Sequence, residues 1–291
     1  MKKVLLASAA ALVASAGIAA AEATVNGYGF AGVTYTDMPA AGASKTAVAH
    51  KVRLEFKVSK ETDNGIKLGA YVRLDASDSS AYAFTQERVE ISSGGLSVRV
   101  GSTHGAAKTL GRALAYYGFN DGGVIGFDNN TTPLNDSGNN VLVQYTTGSF
   151  TVGIASDAGG NAQDIGVKYS AGNLTVGAGY GTTNGVNFQG SGAAVKGDFW
   201  MAAIGYNFGQ GSVSVGIGED SGGNQDIVGT LKYNVGSATT LGVAVESSDD
   251  NAETAYGLDV AYDLGGATLS GTVGKNGAGA TVAGFGIFFG F

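Results

Sequence analysis

Thr281-Val-Ala-Gly-Phe-Gly-Ile-Phe-Phe-Gly-Phe291, the last eleven residues, decide the fold. Within them Ala283, Phe285, Ile287, Phe289 and Phe291 are apolar at every second position, and the chain ends on an aromatic. Period two is the repeat of an extended strand, whose successive side chains point to opposite faces. A strand that is apolar on one face, with rings where it ends, suits a barrel wall: lipid covers that face and aromatics sit at the membrane interface. A soluble domain rarely ends on an exposed Phe, so the edge strand of a soluble sandwich is the poorer reading.

The other end of the chain agrees. Lys2 and Lys3 make a positive start, Val4 to Ile18 an apolar stretch broken only by small residues, and Ala19-Ala20-Ala21 a cleavage site before Glu22. The stretch is too short and alanine-rich for a transmembrane helix, and nothing later supplies about 20 consecutive apolar residues. The expectation is a signal peptide over residues 1–21 and a mature barrel over 22–291, exported across one membrane.

Composition narrows the destination. Fifty Gly, 2 Pro and no Cys describe a long β-chain with many tight turns and no disulfides, and 14% charged residues is low for a soluble protein. Without Lys2 and Lys3 the chain carries 15 basic and 24 acidic residues, a net of −9. That sign argues against a nucleic-acid partner. In a narrow aqueous path it favours cations over anions.

Between the ends, alternation is nearly continuous. Leu54, Phe56 and Val58 alternate with Arg53, Glu55 and Lys57, and Leu68, Ala70, Val72 and Leu74 alternate with Gly69, Tyr71, Arg73 and Asp75. Trp200, Ala202, Ile204, Tyr206 and Phe208 repeat the pattern, as do Tyr256, Leu258, Val260 and Tyr262. The opposite face holds Gly, Ser, Thr, Asp and Lys, which reads as a wet lumen. About sixteen strands result, starting near Ala23, Thr46, Ile66, Ala81, Leu96, Asn139, Ser149, Gln163, Asn173, Gly197, Gly211, Gln225, Ala238, Glu253, Gly266 and Ala280. An even count lets first and last strands close antiparallel, and sixteen strands leave a channel. Short connections (Gly94-Gly95, Gly148-Ser149, Gly172-Asn173, Gly209-Gln210, Gly265-Gly266) read as periplasmic turns.

One connection breaks the rule. Residues 104–138 join the fifth and sixth strands, with a helical-looking piece from Ala106 to Tyr116 and the carboxylates Asp121, Asp128 and Asp136. Connections this long inside a compact domain are usually functional.

Five segments carry a family resemblance: the start Glu22-Ala-Thr-Val-Asn-Gly-Tyr-Gly29, Glu61-Thr-Asp-Asn-Gly-Ile-Lys-Leu-Gly-Ala70 running on to Arg73, Val98-Arg-Val-Gly101, Ala255-Tyr-Gly-Leu-Asp-Val-Ala-Tyr262 and Gly286-Ile-Phe-Phe-Gly-Phe291. In this order and spacing the chain resembles the Gram-negative trimeric general porins of alphaproteobacterial type, over the whole of 22–291. The resemblance implies an all-β, 16-stranded antiparallel transmembrane barrel in the cell outer membrane, amid lipid and lipopolysaccharide. It implies a homotrimer, with passive diffusion of ions and small hydrophilic solutes. It further implies a third loop, 104–138, folded inward as the constriction, and recognition of Phe291 by the barrel-assembly machinery. Arg53 and Arg73 match wall arginines of the family's constriction, and Asp121 and Asp128 fall in the matching loop. Arg88 and Arg99 join them by alternation alone. Ten of the 15 basic residues lie between Lys45 and Lys108, so the basic wall is concentrated on strands two to five whatever the family.

An internal echo remains: Asp157-Ala-Gly-Gly-Asn161 and Asp220-Ser-Gly-Gly-Asn224. Family members bind calcium, which makes Asp157 and Asp220 candidate ligands, with Asp164, Asp226, Asp249 and Asp250 as further oxygen donors, though no six-ligand loop is present. No cofactor is required. Catalysis finds no support: Gly27-Tyr-Gly-Phe-Ala-Gly32 sits in a strand with no helix after it, and His50 and His104 lack partners at metal-ligand spacing. Two alternatives stay open. A sugar-preferring porin needs an aromatic track in the lumen, for which Tyr28, Phe30, Tyr71, Phe199 and Met201 have the inward parity. An adhesive or surface-structural barrel needs long outer loops.

Overall fold

The computed structural model describes residues 21–38, 45–77, 80–112, 140–187 and 194–291. It is a closed antiparallel barrel in which each strand pairs with its sequence neighbours and the last pairs with the first. The first eight strands are β1 (Glu22–Thr36), β2 (Thr46–Glu61), β3 (Lys67–Ser77), β4 (Ser80–Ser93), β5 (Leu96–Gly101), β6 (Asn140–Thr147), β7 (Phe150–Asp157) and β8 (Ala162–Ala171). The rest are β9 (Leu174–Asn187), β10 (Ala194–Asn207), β11 (Gly211–Glu219), β12 (Gln225–Val235), β13 (Thr239–Ser248), β14 (Ala255–Asp263), β15 (Thr268–Lys275) and β16 (Thr281–Gly290). A short helix, α1 (Ala106–Leu110), follows β5. All sixteen strands expected from alternation are present, each starting within three residues of its expected position.

Closure is what makes such a sheet stable in lipid, because an open edge would leave backbone donors and acceptors without partners. The seam is tied at both ends. Gly27 and Phe291 exchange backbone hydrogen bonds of 2.8 and 3.0 Å at the end that holds both termini, and Asp37 accepts from the Thr281 amide at 2.7 Å at the other. Gly27 and Gly29 face outward, and the rings of Phe291 and Phe289 lie across them: a Cβ at Gly29 would come 2.7 Å from the Phe289 ring. These small residues therefore seat the closing strand's own aromatics.

The two faces of the wall differ as the alternation requires. Outward residues are large, apolar and open, as at Val48 (70% exposed), Ile154 (56%), Leu258 (56%) and Phe285 (53%). Such residues recur on strand after strand around the barrel, far beyond the few hundred Å² of apolar patch that a soluble monomer exposes. The solvent on that side is hydrocarbon. Tight turns, including Gly94-Gly95, Gly148-Ser149 and Gly172-Asn173, lie at the end with the termini, which is the periplasmic end.

Near that end an outward belt of rings runs from β6 to β16: Tyr145, Phe150, Tyr206, Phe208, Tyr233, Tyr262, Phe289 and Phe291. Over β1 to β5 the belt thins to the single ring of Phe56 among Val25, Val58, Leu68, Ile91 and Leu96.

Candidate pore lining and constriction

The basic wall lies where the charge count put it, on the lumenal face of β2 to β5. Cross-strand pairing brings Tyr28, Arg53 and Asp75 into one row and Glu55 and Arg73 into the next. Asp75 accepts from Arg53 Nε at 2.7 Å and from Arg73 Nε at 2.6 Å, one carboxylate bridging two guanidiniums. Arg73 Nε also donates to Thr85 Oγ1 at 3.2 Å. Nearer the periplasm Arg99 Nε donates to Glu90 Oε2 at 3.0 Å, and Lys57 pairs with Glu55 at 2.9 Å. Two tyrosines also hold cations by their faces. Arg88 stacks 3.8 Å from the Tyr71 ring centroid, with Lys57 5.6 Å away, while Arg53 and Lys51 lie 5.0 and 5.8 Å from that of Tyr28. Guanidinium stays charged at any working pH, and its plane matches both the carboxylate and the ring. Among the described residues of this wall, Lys51, Arg53, Lys57, Arg73, Arg88 and Arg99 outnumber Glu55, Asp75 and Glu90, so the surface is positive.

Arg88 reaches the lumen through an irregularity that simple alternation overlooks. Thr85 and Arg88 are three apart, so regular β4 would place them on opposite faces. The register with β3 shifts between Tyr71 and Arg73, and Gln86 adopts φ +57°, the single positive φ at a non-glycine among the described residues. The bulge inserts one extra residue into β4 and turns Arg88 and Glu90 inward, with Val89 and Ile91 out to lipid.

Next to the basic wall the lumen is lined differently. On β7, β8 and β9 the inward positions include Gly153, Gly166, Gly177 and Gly179, and α1 lies directly on them. A Cβ at Gly166 would collide with the Ala106 carbonyl oxygen, one at Gly177 with that of Leu110, and one at Gly179 would come 2.5 Å from the Ala107 Cβ. Ala106, Ala107 and Leu110 are buried, and Phe199 and Met201 of β10 pack beside Ala107. These glycines, read from sequence as facing water, instead let a backbone approach the wall. Asp164 of β8, 6% exposed, completes the contact by accepting from the Ala106 and Ala107 amides at 2.7 and 3.3 Å.

So α1, the described helical part of the long connection, packs on the lumen-facing residues of β7 to β9. Asn140, where the chain rejoins the wall, donates from Nδ2 to the Thr103 carbonyl at 2.7 Å. The helical piece expected over Ala106 to Tyr116 is seen as Ala106–Leu110. Asp121, Asp128 and Asp136 lie outside the described residues.

The remaining candidates take other parts. Asp157 and Asp220 organise hairpin turns. Asp157 Oδ1 accepts from the Ala162 amide at 2.9 Å, and Asp220 Oδ1 from the Gly222 and Asn224 amides at 2.7 and 2.9 Å. Gly160 and Gly223 take the positive φ that each turn needs, which explains the echo as turn chemistry. Burial and then the neighbouring charges of Asp220 and Asp249 push the Asp250 carboxyl up. Among the described residues no group of three His, Cys, Asp or Glu is placed to hold a metal ion. Among the described residues the lumenal aromatics form no track: Phe30 and Phe199 are buried, and Tyr28 and Tyr71 are covered by cations. The described extracellular connections, such as 158–161, 220–224 and 249–254, are short, against an adhesive role.

Comparison with known proteins agrees with this geometry. A porin of Fuscovulum blasticum is 25% identical over 93% of this chain and all of its own length. Solved structures of Rh. blastica porin superpose along the whole barrel. A double mutant gives a TM-score of 0.78 at 23% identity, and a triple mutant gives the same values, each covering 93% of this chain and 100% of the other. The family model for Gram-negative porins matches residues 7–289. With a closed sixteen-strand wall, lipid outside and charge inside, the chain belongs to the Gram-negative porins and forms a channel in the outer membrane.

Proposed function

We propose that residues 104–138 narrow the lumen, and that ions and small hydrophilic solutes pass by diffusion between this loop and the basic wall. The observation that carries the reading is the seat of α1. α1 lies over a strip of glycines on the lumen-facing side of β7 to β9, and Asn140, at the start of β6, bonds back to Thr103. Arg53, Arg73, Arg88 and Arg99 form one side of the narrow section, with Asp121 and Asp128 of the loop as the opposing charges. Asp157 and Asp220 complete their turns with backbone donors, so calcium has no part in this reading.

The assembly we propose is a homotrimer meeting over β1 to β5. The thinning of the aromatic belt there to Phe56 supports this face, since rings anchor a wall against the lipid interface and are less needed where protein replaces lipid. Residues 1–21 are the exported leader, and Phe291 is the handle for outer-membrane assembly. Its deletion is expected to lower trimer yield in the membrane.

Single-channel recording on purified protein in a planar bilayer tests the constriction. Replacing 113–139 by a short Gly-Ser bridge is expected to raise conductance markedly, because the narrowest section limits ion flow. Unchanged conductance would place those residues outside the conducting path.

A further inference from the structure

We propose that Asp164, a residue of the barrel wall, is the latch that holds the constriction loop in position; this rests on the reading of 104–138 as the constriction. A helix begins with amide groups that have no partner within it, and a side chain just before the helix normally accepts from them. Here the residue before α1 is Gly105, which has no side chain and makes no cap. The acceptor comes from across the lumenal surface. Asp164 Oδ1 takes both the Ala106 and Ala107 amides, from a residue 58 positions away in the chain.

Three features make this contact a latch and not one of many loop hydrogen bonds. A five-residue helix is far below the length that is stable alone, so α1 depends on what it touches. The aspartate side chain is short and rises from a rigid strand, so it cannot follow the helix if the loop lifts. The site is also enclosed: Asp164 and Ala106 are buried, Gly181 beside Asp164 is overlain by the Phe199 ring, and Asp164 Oδ2 has no hydrogen-bond partner among the described residues. In a buried setting a charge-assisted hydrogen bond is strengthened, and losing it leaves two amides unsatisfied.

The glycine strip is the competing explanation. It permits close approach but supplies no directional force, whereas the carboxylate fixes where along the strip the helix stops. Asp164→Ala removes the acceptor and keeps the strip. Asp164→Asn keeps an acceptor oxygen at the same place. Gly166→Ala keeps the acceptor and pushes the Ala106 carbonyl off the wall.

The test combines amide hydrogen exchange over residues 103–112 in purified trimers with single-channel recording of each variant. Asp164→Ala is expected to raise exchange at Ala106 and Ala107 about tenfold or more and to add conductance substates and open-channel noise. Asp164→Asn, which keeps the acceptor and loses the charge, should fall between the parent and Asp164→Ala, and Gly166→Ala should resemble Asp164→Ala. If Asp164→Ala leaves both exchange and current unchanged while deletion of 113–139 raises conductance, the latch is wrong and the constriction stands. If exchange rises with no change in current, Asp164 holds α1 without setting the pore, which also overturns the proposal. If deletion of 113–139 has no effect on conductance, the constriction reading itself fails.

Discussion

Two neighbouring stretches of the same lumenal surface are built in opposite ways. On β2 to β5 the inward positions carry Arg, Lys, Asp, Glu and Tyr, and each long side chain is held by a carboxylate or a ring. On β7 to β9 the inward positions include a run of glycines, and the space that side chains would fill is taken by the backbone of α1. In a barrel wall the residue facing in decides what occupies the lumen: charged side chains hold water and a field, and missing side chains admit a loop. The pore is asymmetric because its two walls use these two solutions side by side.

The sharpest way to break the contrast is to corrupt the register on the charged side. Deleting Gln86 removes the bulge, so either β4 loses its pairing with β3 or Arg88 and Glu90 turn to lipid. A cationic side chain facing mid-bilayer costs about 2–4 kcal/mol, so little or no folded trimer is expected on unheated gels. Gly179→Leu attacks the other wall. The added side chain occupies the seat of Ala107, and overpacking of this kind costs typically 1–3 kcal/mol. A lowered melting temperature and a noisy channel are expected, while a quiet channel of normal conductance would show that the glycine is incidental.

Smaller effects sharpen the picture. Arg88→Lys keeps the charge but loses the planar stack on Tyr71, for which about 0.5–2 kcal/mol is at stake. Thermal stability should fall slightly and ion selectivity should stay, a pairing that separates the structural from the electrostatic part of that residue. Asp220→Asn should change least. Asparagine also supports this turn, so an effect well under about 1 kcal/mol and an unchanged channel are expected on removal of calcium as well as in its presence.

Most of this fold could be read before any coordinates, because period two is a direct imprint of a two-faced wall. Phe285 and Phe289 outside and Arg53 and Arg73 inside follow from parity alone. Alternation within its own segment turns Arg88 inward, yet the reason it is inward, the extra residue at Gln86, leaves no mark in composition. The wall glycines were harder still. Gly166 and Gly179 look the same in sequence whether water or a backbone lies over them, and only the partner, 60 or more residues earlier, tells the two apart. Asp164 reads in sequence as one more acidic oxygen donor for the same reason: the amides it accepts from belong to a distant segment. Its position two residues before an inward glycine is the one local signal that pointed into the barrel.

The central claim is that the arginine wall borders the conducting path, and reversal potential under a salt gradient tests it most directly. With Arg53 and Arg73 both replaced by Gln in purified trimers, recorded in a planar bilayer near 0.1 M salt, the reversal potential should move toward stronger cation preference. The shift should shrink as salt rises, since charges are screened over about 10 Å at 0.1 M and less above it. No shift at the lowest salt, in channels of otherwise normal conductance, would contradict the account.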